Sequence, residues 1–248
     1  MIAPRPSSPR PIEPTARASG KLLESALVVE MATAYMSEAT LRRRTGTEDL
    51  ADVTELSLRG GEKVGRILRL ENLDALKGLR TLDVSNNLLS SLSPLGASNV
   101  PALTSLDASG NRISSLDGLQ PLGGSLRSLV LTANEIEQLP SWMGSLRRLE
   151  RLGLSHNRLA ELRELRVLTP IKQLAALEMA GNPLASLPHS RLYAVHYCRS
   201  LQRIDSSPVA IEEVSEAAAR FERPANDELA ARITELEGRE KEALRLRD

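Results

Sequence analysis

LRTLDVSNNLL at 79–89, LTSLDASGNRI at 103–113, LRSLVLTANEI at 126–136, LERLGLSHNRL at 149–159 and LAALEMAGNPL at 174–184 are five versions of one phrase. Its form is L-x-x-L-x-(L/V/A/M)-x-x-N-x-(L/I), and its first leucine returns every 23 to 25 residues. Apolar residues at the fourth and sixth places alternate with polar ones, the period of two that turns one side of a short strand toward a core. The ninth place is Asn in all five copies: Asn87, Asn111, Asn134, Asn157 and Asn182. A side-chain amide carries both donors and acceptor, so it can satisfy backbone groups where the chain turns, and stacked copies are expected to form a buried ladder.

A phrase of this kind with a period of about 20 to 29 residues is a leucine-rich repeat. One copy cannot bury its own leucines, whereas stacking builds a continuous core. The fold expected is therefore α/β: a leucine-rich repeat solenoid whose concave parallel sheet has about seven short strands, with helical caps at both ends. The two strands beyond the five repeats come from a degenerate first repeat at Val53, Leu56 and Leu58 and a terminating one at Leu201 and Ile204.

Outward from the repeats, residues 1–20 are rich in Pro, Arg and Ser without an apolar run and are expected to be disordered. Residues 21–49 form the N-terminal capping region, with Leu23, Leu27, Met31 and Tyr35 at helical spacing. A second short helix there starts after Ser37 and stops near Gly46. The repeat domain with its C-terminal cap occupies 50–209, where Pro140 and Pro170 keep the return segments to short 3₁₀ or helical turns and Trp142 fills core beside Met143 and Leu146. Residues 210–248 make a charged helical tail broken by Pro224. Leu229, Ile233 and Leu236 there fit either a solvated helix or the start of a coiled coil through which the chain could self-associate.

Composition narrows the chemistry. Among 248 residues, 32 basic side chains balance 32 acidic ones, so no overall field steers the protein to a polyanion. The aromatics number only five (Tyr35, Trp142, Tyr193, Tyr197, Phe221), too few for a base-stacking platform, and a nucleic-acid partner is not expected. The apolar run at 26–29 is too short to span a bilayer, which excludes membrane insertion by that segment. The single Cys198 cannot form an internal disulfide, pointing to an intracellular chain.

Catalytic and metal sites are not expected. His156, His189 and His196 have no ligand or nucleophile spacing, no cofactor motif occurs, and GGEKVG at 60–65 lacks the order of a phosphate loop. The third, fifth and seventh repeat positions should line the concave face, which is small-residued, polar and mildly acidic. Its distinctive groups, with the strand-edge histidine, are Asp83, Asp107, Val130, Arg151, His156 and Glu178, the candidate partner-binding residues. Asp83 and Asp107 are expected to be simply exposed carboxylates. A surface this poor in aromatics suits a protein partner that supplies the large side chains, and the caps or tails are the alternative docking elements.

Three stretches go beyond repeat consensus: YMSEATLRRRTGTEDLADVTELSL at 35–58, LPSWMGSLRRLERLGLSHNRLAEL at 139–162, and LTPIKQLAALEMAGNPLASLPHSRLYAVHYCRSLQRIDSSPV at 168–209. With them, residues 35–223 resemble the intracellular leucine-rich repeat family of centrosomal and ciliary proteins, in particular the N-terminal repeat region of the centriolins. The resemblance implies a non-enzymatic scaffold or adaptor at the centrosome, basal body or cilium, in the cytoplasm and on the cytoskeleton. A regulatory subunit of a protein phosphatase is the alternative that the same family admits. The long coiled coils of the centriolins have no counterpart in the sequence up to Asp248.

Overall fold

A computed structural model describes residues 37–61, 65–98 and 100–222. The expected disordered tail, the helix carrying Leu23 to Tyr35 and the segment after Pro224 lie outside the described residues.

Within them, the seven expected strands are all present. They are β1 (Glu55–Ser57), β2 (Thr81–Asp83), β3 (Ser105–Asp107), β4 (Ser128–Val130), β5 (Arg151–Gly153), β6 (Ala176–Glu178) and β7 (Arg203–Ile204), parallel and hydrogen-bonded in sequence order. A two-residue β8 (Ser207–Pro208) adds an antiparallel edge that periodicity could not show. The turn between β7 and β8 is made by Asp205 and Ser206, both left-handed at φ 48° and 67°, as an Asp-Ser pair allows.

Register follows from the repeat. Leu56, Leu82, Leu106, Leu129, Leu152, Leu177 and Ile204 form one row across the sheet, every member of it buried. A slip by one residue would turn that row into water, which is why the alternation dictates the pairing. The return segments close the core from the convex side with short helical turns: Leu73–Ala75, α2 (Ser93–Ala97), Gln120–Gly124, Ser141–Ser145, Leu162–Leu168 and Pro183–Ser186. Met143 and Leu146 are fully enclosed there, and Trp142 is half-buried against them. At roughly 1.5–3 kcal/mol per fully buried Leu-sized side chain before entropy, each repeat contributes several such terms.

The asparagine ladder has one repeated geometry. Asn134 accepts from the Ile113 amide at 2.9 Å and donates to the Ala108 and Leu131 carbonyls, both at 3.0 Å. Asn111, Asn157 and Asn182 bond equivalently, each joining its own turn to the repeat before it. Asn87 reaches back to Leu58 and Ile67 in the degenerate first repeat, where Gly61 stands at the Asn place. The residue before each Asn is left-handed: Asn86, Gly110, Ala133, His156 and Gly181 have φ between 55° and 73°.

Both described ends are capped. Helix α1 is Glu38–Thr45, started by Ser37, whose hydroxyl accepts from the Thr40 amide, and stopped by left-handed Gly46. It seats Leu41 at 0% exposure on the first repeat, while Arg42 at its end pairs with Glu38 at 2.7 Å. At the other end, α3 (Ser190–Tyr197) packs on α4 (Ile211–Phe221). Arg191 latches the two, with bonds to the Glu213 carboxylate at 2.6 and 3.1 Å and to the Ile204 and Pro208 carbonyls. Cys198 ends α3 in the core, where burial pushes its thiol up to about 12.

Candidate functional site

The concave face is built by the strands themselves, because every residue beside a core leucine must point the other way. That alternation brings five of the six candidate residues onto one sheet. In register, Asp83 neighbours Asp107, Asp107 neighbours Val130, Val130 neighbours Gly153, and Gly153 neighbours Glu178. His156 is not on a strand. It occupies the left-handed turn at the rim, exposed, and stands against Gly181, where any added Cβ would come within 2.4 Å of its Nδ1.

Asp83 and Asp107 are not the freely solvated carboxylates expected of them. Both are half-buried, and each accepts from the backbone amide two residues on, Ser85 to Asp83 and Ser109 to Asp107, at 2.9 Å. Ser57 donates to Asp83 at 3.1 Å and the Ser109 hydroxyl to Asp107 at 2.6 Å. Burial of Asp83 works to raise its pKa, but the hydrogen bonds from Ser85 and Ser57, with the charge of Arg59, outweigh it and hold the carboxyl below the ordinary value. The serines at the seventh repeat position thus fix these carboxylates as preorganised acceptors. The repeat phrase treats that position as free, so only the recurrence of Asp-x-Ser at 83–85 and 107–109 could have signalled it.

The far half of the face differs. Val130 supplies an apolar patch, and Gly153 beside it is buried and closely packed, since a Cβ there would meet Val130 Cγ1 at 3.2 Å. Ala176 and Ala180 continue the small-residue floor. Arg151 bridges diagonally to Glu178 at 2.6 Å. One end is therefore anionic and hydroxyl-lined, and the other is shallow and apolar with a paired charge. Among the described residues no group of His, Cys, Asp and Glu is arranged to hold a metal ion, and no helix there is long and apolar enough to cross a membrane.

A profile of the leucine-rich repeat matches residues 79–234, more than half of the chain. The chain belongs to the leucine-rich repeat family. Repeat proteins of this family serve as protein-interaction scaffolds, in keeping with a face that offers shape, hydrogen bonds and charge. Among solved structures, a leucine-rich repeat protein of Leptospira interrogans is similar with a TM-score of 0.53 at 26% identity, over 62% of this chain and 37% of that one.

Curated relatives with this repeat include the U2 small nuclear ribonucleoprotein A' of Homo sapiens, 30% identical over 155 residues, 62% of this chain and 60% of that one. The protein of the same name from Arabidopsis thaliana is 31% identical over 143 residues, 57% of each. The chain thus spans about 57% to 60% of the length of these relatives. They correct the expectation of a cytoplasmic, cytoskeletal location at the centrosome, basal body or cilium, since these relatives are nuclear by name. The physical reason for the error lies in what carried the resemblance: core leucines, turn prolines and a cap sequence, which stabilise any member of the fold and carry no address.

Proposed function

We propose that the chain is a non-enzymatic, protein-docking subunit of a nuclear ribonucleoprotein particle, of the U2 small nuclear ribonucleoprotein A' kind, and that its concave face seats a protein partner. The observation that carries the particle is the likeness to U2 small nuclear ribonucleoprotein A' from plant, mammal and fungus at 30% to 32% identity. Support for the face comes from its geometry. Asp83 and Asp107 are oriented by hydrogen bonds before any partner arrives, and Val130, in register beside Asp107, offers an apolar contact. A basic element with an apolar anchor, such as one face of a helix, complements both halves. Contact with RNA in such a particle would pass through the seated protein, because the concave positions carry four carboxylates (Glu55, Asp83, Asp107, Glu178) against two guanidiniums (Arg59, Arg151).

The test is immunoprecipitation of a tagged full chain from nuclear extract, with its proteins and RNAs identified. Recovery of U2 small nuclear RNA together with a protein partner, lost for the partner on joint Asp83→Lys and Asp107→Lys substitution while circular dichroism is unchanged, is the expected result. A chain excluded from the nucleus and free of small nuclear RNA would refute the particle. Undiminished partner recovery by the double variant would refute the concave assignment.

A further inference from the structure

Where the chain enters the strands of the last repeats, a second surface lies along the sheet's edge, apart from the concave face. It is an open cleft of about 850 Å³ running from β4 toward the C-terminal cap, with Arg127, Arg148, Glu150, Lys172, Gln173 and Gln202 among its walls. Arg127, Glu150, Ala175 and Gln202 are the second residues of successive repeats, so stacking alone aligns them. Their backbone carbonyls are consumed by the next repeat: that of Arg127 accepts from Glu150 and Arg151, and that of Glu150 from Ala175 and Ala176. What the edge offers a ligand is therefore side chains.

Those side chains are biased. Glu150 is the lone carboxylate of the wall, and it is engaged by the Arg127 guanidinium. Arg148 forms no ion pair among the described residues, and Lys172 donates only to the Thr169 carbonyl at 2.9 Å. Among the described residues Arg42, Arg127, Arg151, Arg158, Arg163, Arg191 and Arg199 form ion pairs, and Arg148 is one of the arginines that do not. Two cations left without acids on one edge, next to a face of opposite sign, form a charge pattern that a partner can read for orientation.

We propose that this edge cleft binds an acidic, extended segment of a partner protein, with Arg148 and Lys172 as the carboxylate-binding residues and Gln173 and Gln202 meeting peptide amide groups. A carboxylate-bearing peptide fits better than a nucleic-acid strand for two reasons. Arg127 and Glu150 pair with each other in the wall, which leaves two discrete cations, Arg148 and Lys172, rather than a continuous basic track for a run of phosphates. The cleft wall also has no aromatic ring on which a base could stack. The guanidinium of Arg148 can grip a carboxylate with two parallel hydrogen bonds, and the amides of the two glutamines can both donate and accept. The assignment does not depend on what the concave face binds.

The experiment is fluorescence anisotropy of the full chain with a short labelled peptide of alternating Glu and Ser. A peptide with Gln for Glu and an oligouridylate of equal length serve as competing probes. The expected result is binding of the Glu peptide alone, weakened at least about tenfold by joint Arg148→Glu and Lys172→Glu substitution and by raised salt. Arg112→Glu, exposed on another edge, should leave it unchanged. Should the reversal variant fail to fold, Arg148→Gln with Lys172→Gln replaces it, with a smaller loss expected. Absence of Glu-peptide binding, binding indifferent to either double variant, or tighter binding of oligouridylate would each overturn the proposal, the last in favour of a nucleic-acid edge.

Discussion

Replacing Asn134 by Ala tests the account of what holds the solenoid together. The Asn134 amide makes three hydrogen bonds to buried backbone groups: it accepts from Ile113 at 2.9 Å and donates to Ala108 and Leu131 at 3.0 Å each. The Ala108 carbonyl keeps a bond from Asn111 and the Leu131 carbonyl one from Asn157, so only the Ile113 amide is left buried without a partner, at a cost of about 1–3 kcal/mol. The two donated bonds lost add about 0.5–1.5 kcal/mol each, and water admitted to the vacated space offsets part of the total, which brings the expected loss to about 2–4 kcal/mol. That is a large share of the roughly 5–15 kcal/mol by which domains are stable. Urea unfolding followed by far-ultraviolet circular dichroism measures it, and hydrogen exchange at the Ile113 amide reports the broken bond directly. Asn134→Leu separates hydrogen bonding from packing, because it fills the space but can neither donate nor accept. It should lose at least as much as Asn134→Ala. Ser128→Ala, on the concave side of the same repeat, should stay within about 0.5 kcal/mol. Two results would refute the reasoning: Asn134→Ala within about 1 kcal/mol of the parent, or Asn134→Leu matching the parent. Either would mean that leucine burial alone carries the stack.

Other consequences follow from single residues. Ala133 is held at φ 56°, a region costing an L-residue about 1–2 kcal/mol; Ala133→Gly should therefore raise the melting temperature slightly, whereas Gly118→Ala, at φ 99° with a Cβ 2.3 Å from the Leu92 carbonyl oxygen, should lower it sharply. The hydrogen bond from Arg191 holds the Glu213 carboxyl below the ordinary glutamate value against the opposing effect of burial. A lowered folded-state pKa means that the latch stabilises fully above the unfolded-state value and is lost as pH falls through the folded one. The melting-temperature gap between parent and Glu213→Gln should therefore be widest near neutrality and close below the ordinary glutamate range; a gap independent of pH would contradict the latch. Cys198, with its thiol raised to about 12 by burial, should resist a disulfide reagent at pH 8 until the protein is unfolded; prompt labelling of the native chain would show that the cap opens.

The positions that stabilise this fold were legible in the sequence, and those that give it a surface were legible only as addresses. A core leucine announces itself because burial demands one residue type at one period. The row from Leu56 to Ile204 and the five asparagines were therefore readable from spacing alone. The seventh repeat position obeys no such demand, so nothing in the phrase said that Ser85 and Ser109 would bind the aspartates two residues earlier and change them from solvated charges into oriented acceptors. His156 shows the converse. As an isolated histidine beside a strand it drew a binding role, yet its backbone belongs to a column of left-handed turns in which Asn, Gly, Ala and His alternate. A position that tolerates those four side chains is chosen for its turn, and any contact His156 makes with a partner is additional to that role. The cleft at Arg148 and Lys172 was hidden for a third reason. Its walls come from residues about one repeat apart, 148 and 172 or 127 and 150, so it exists only after the coils are stacked. In a solenoid the periodic residues establish distance and direction. The specificity then resides in what successive repeats place side by side, which is why aspartates in neighbouring strands and cations on neighbouring coils, rather than any one residue, are the units to perturb.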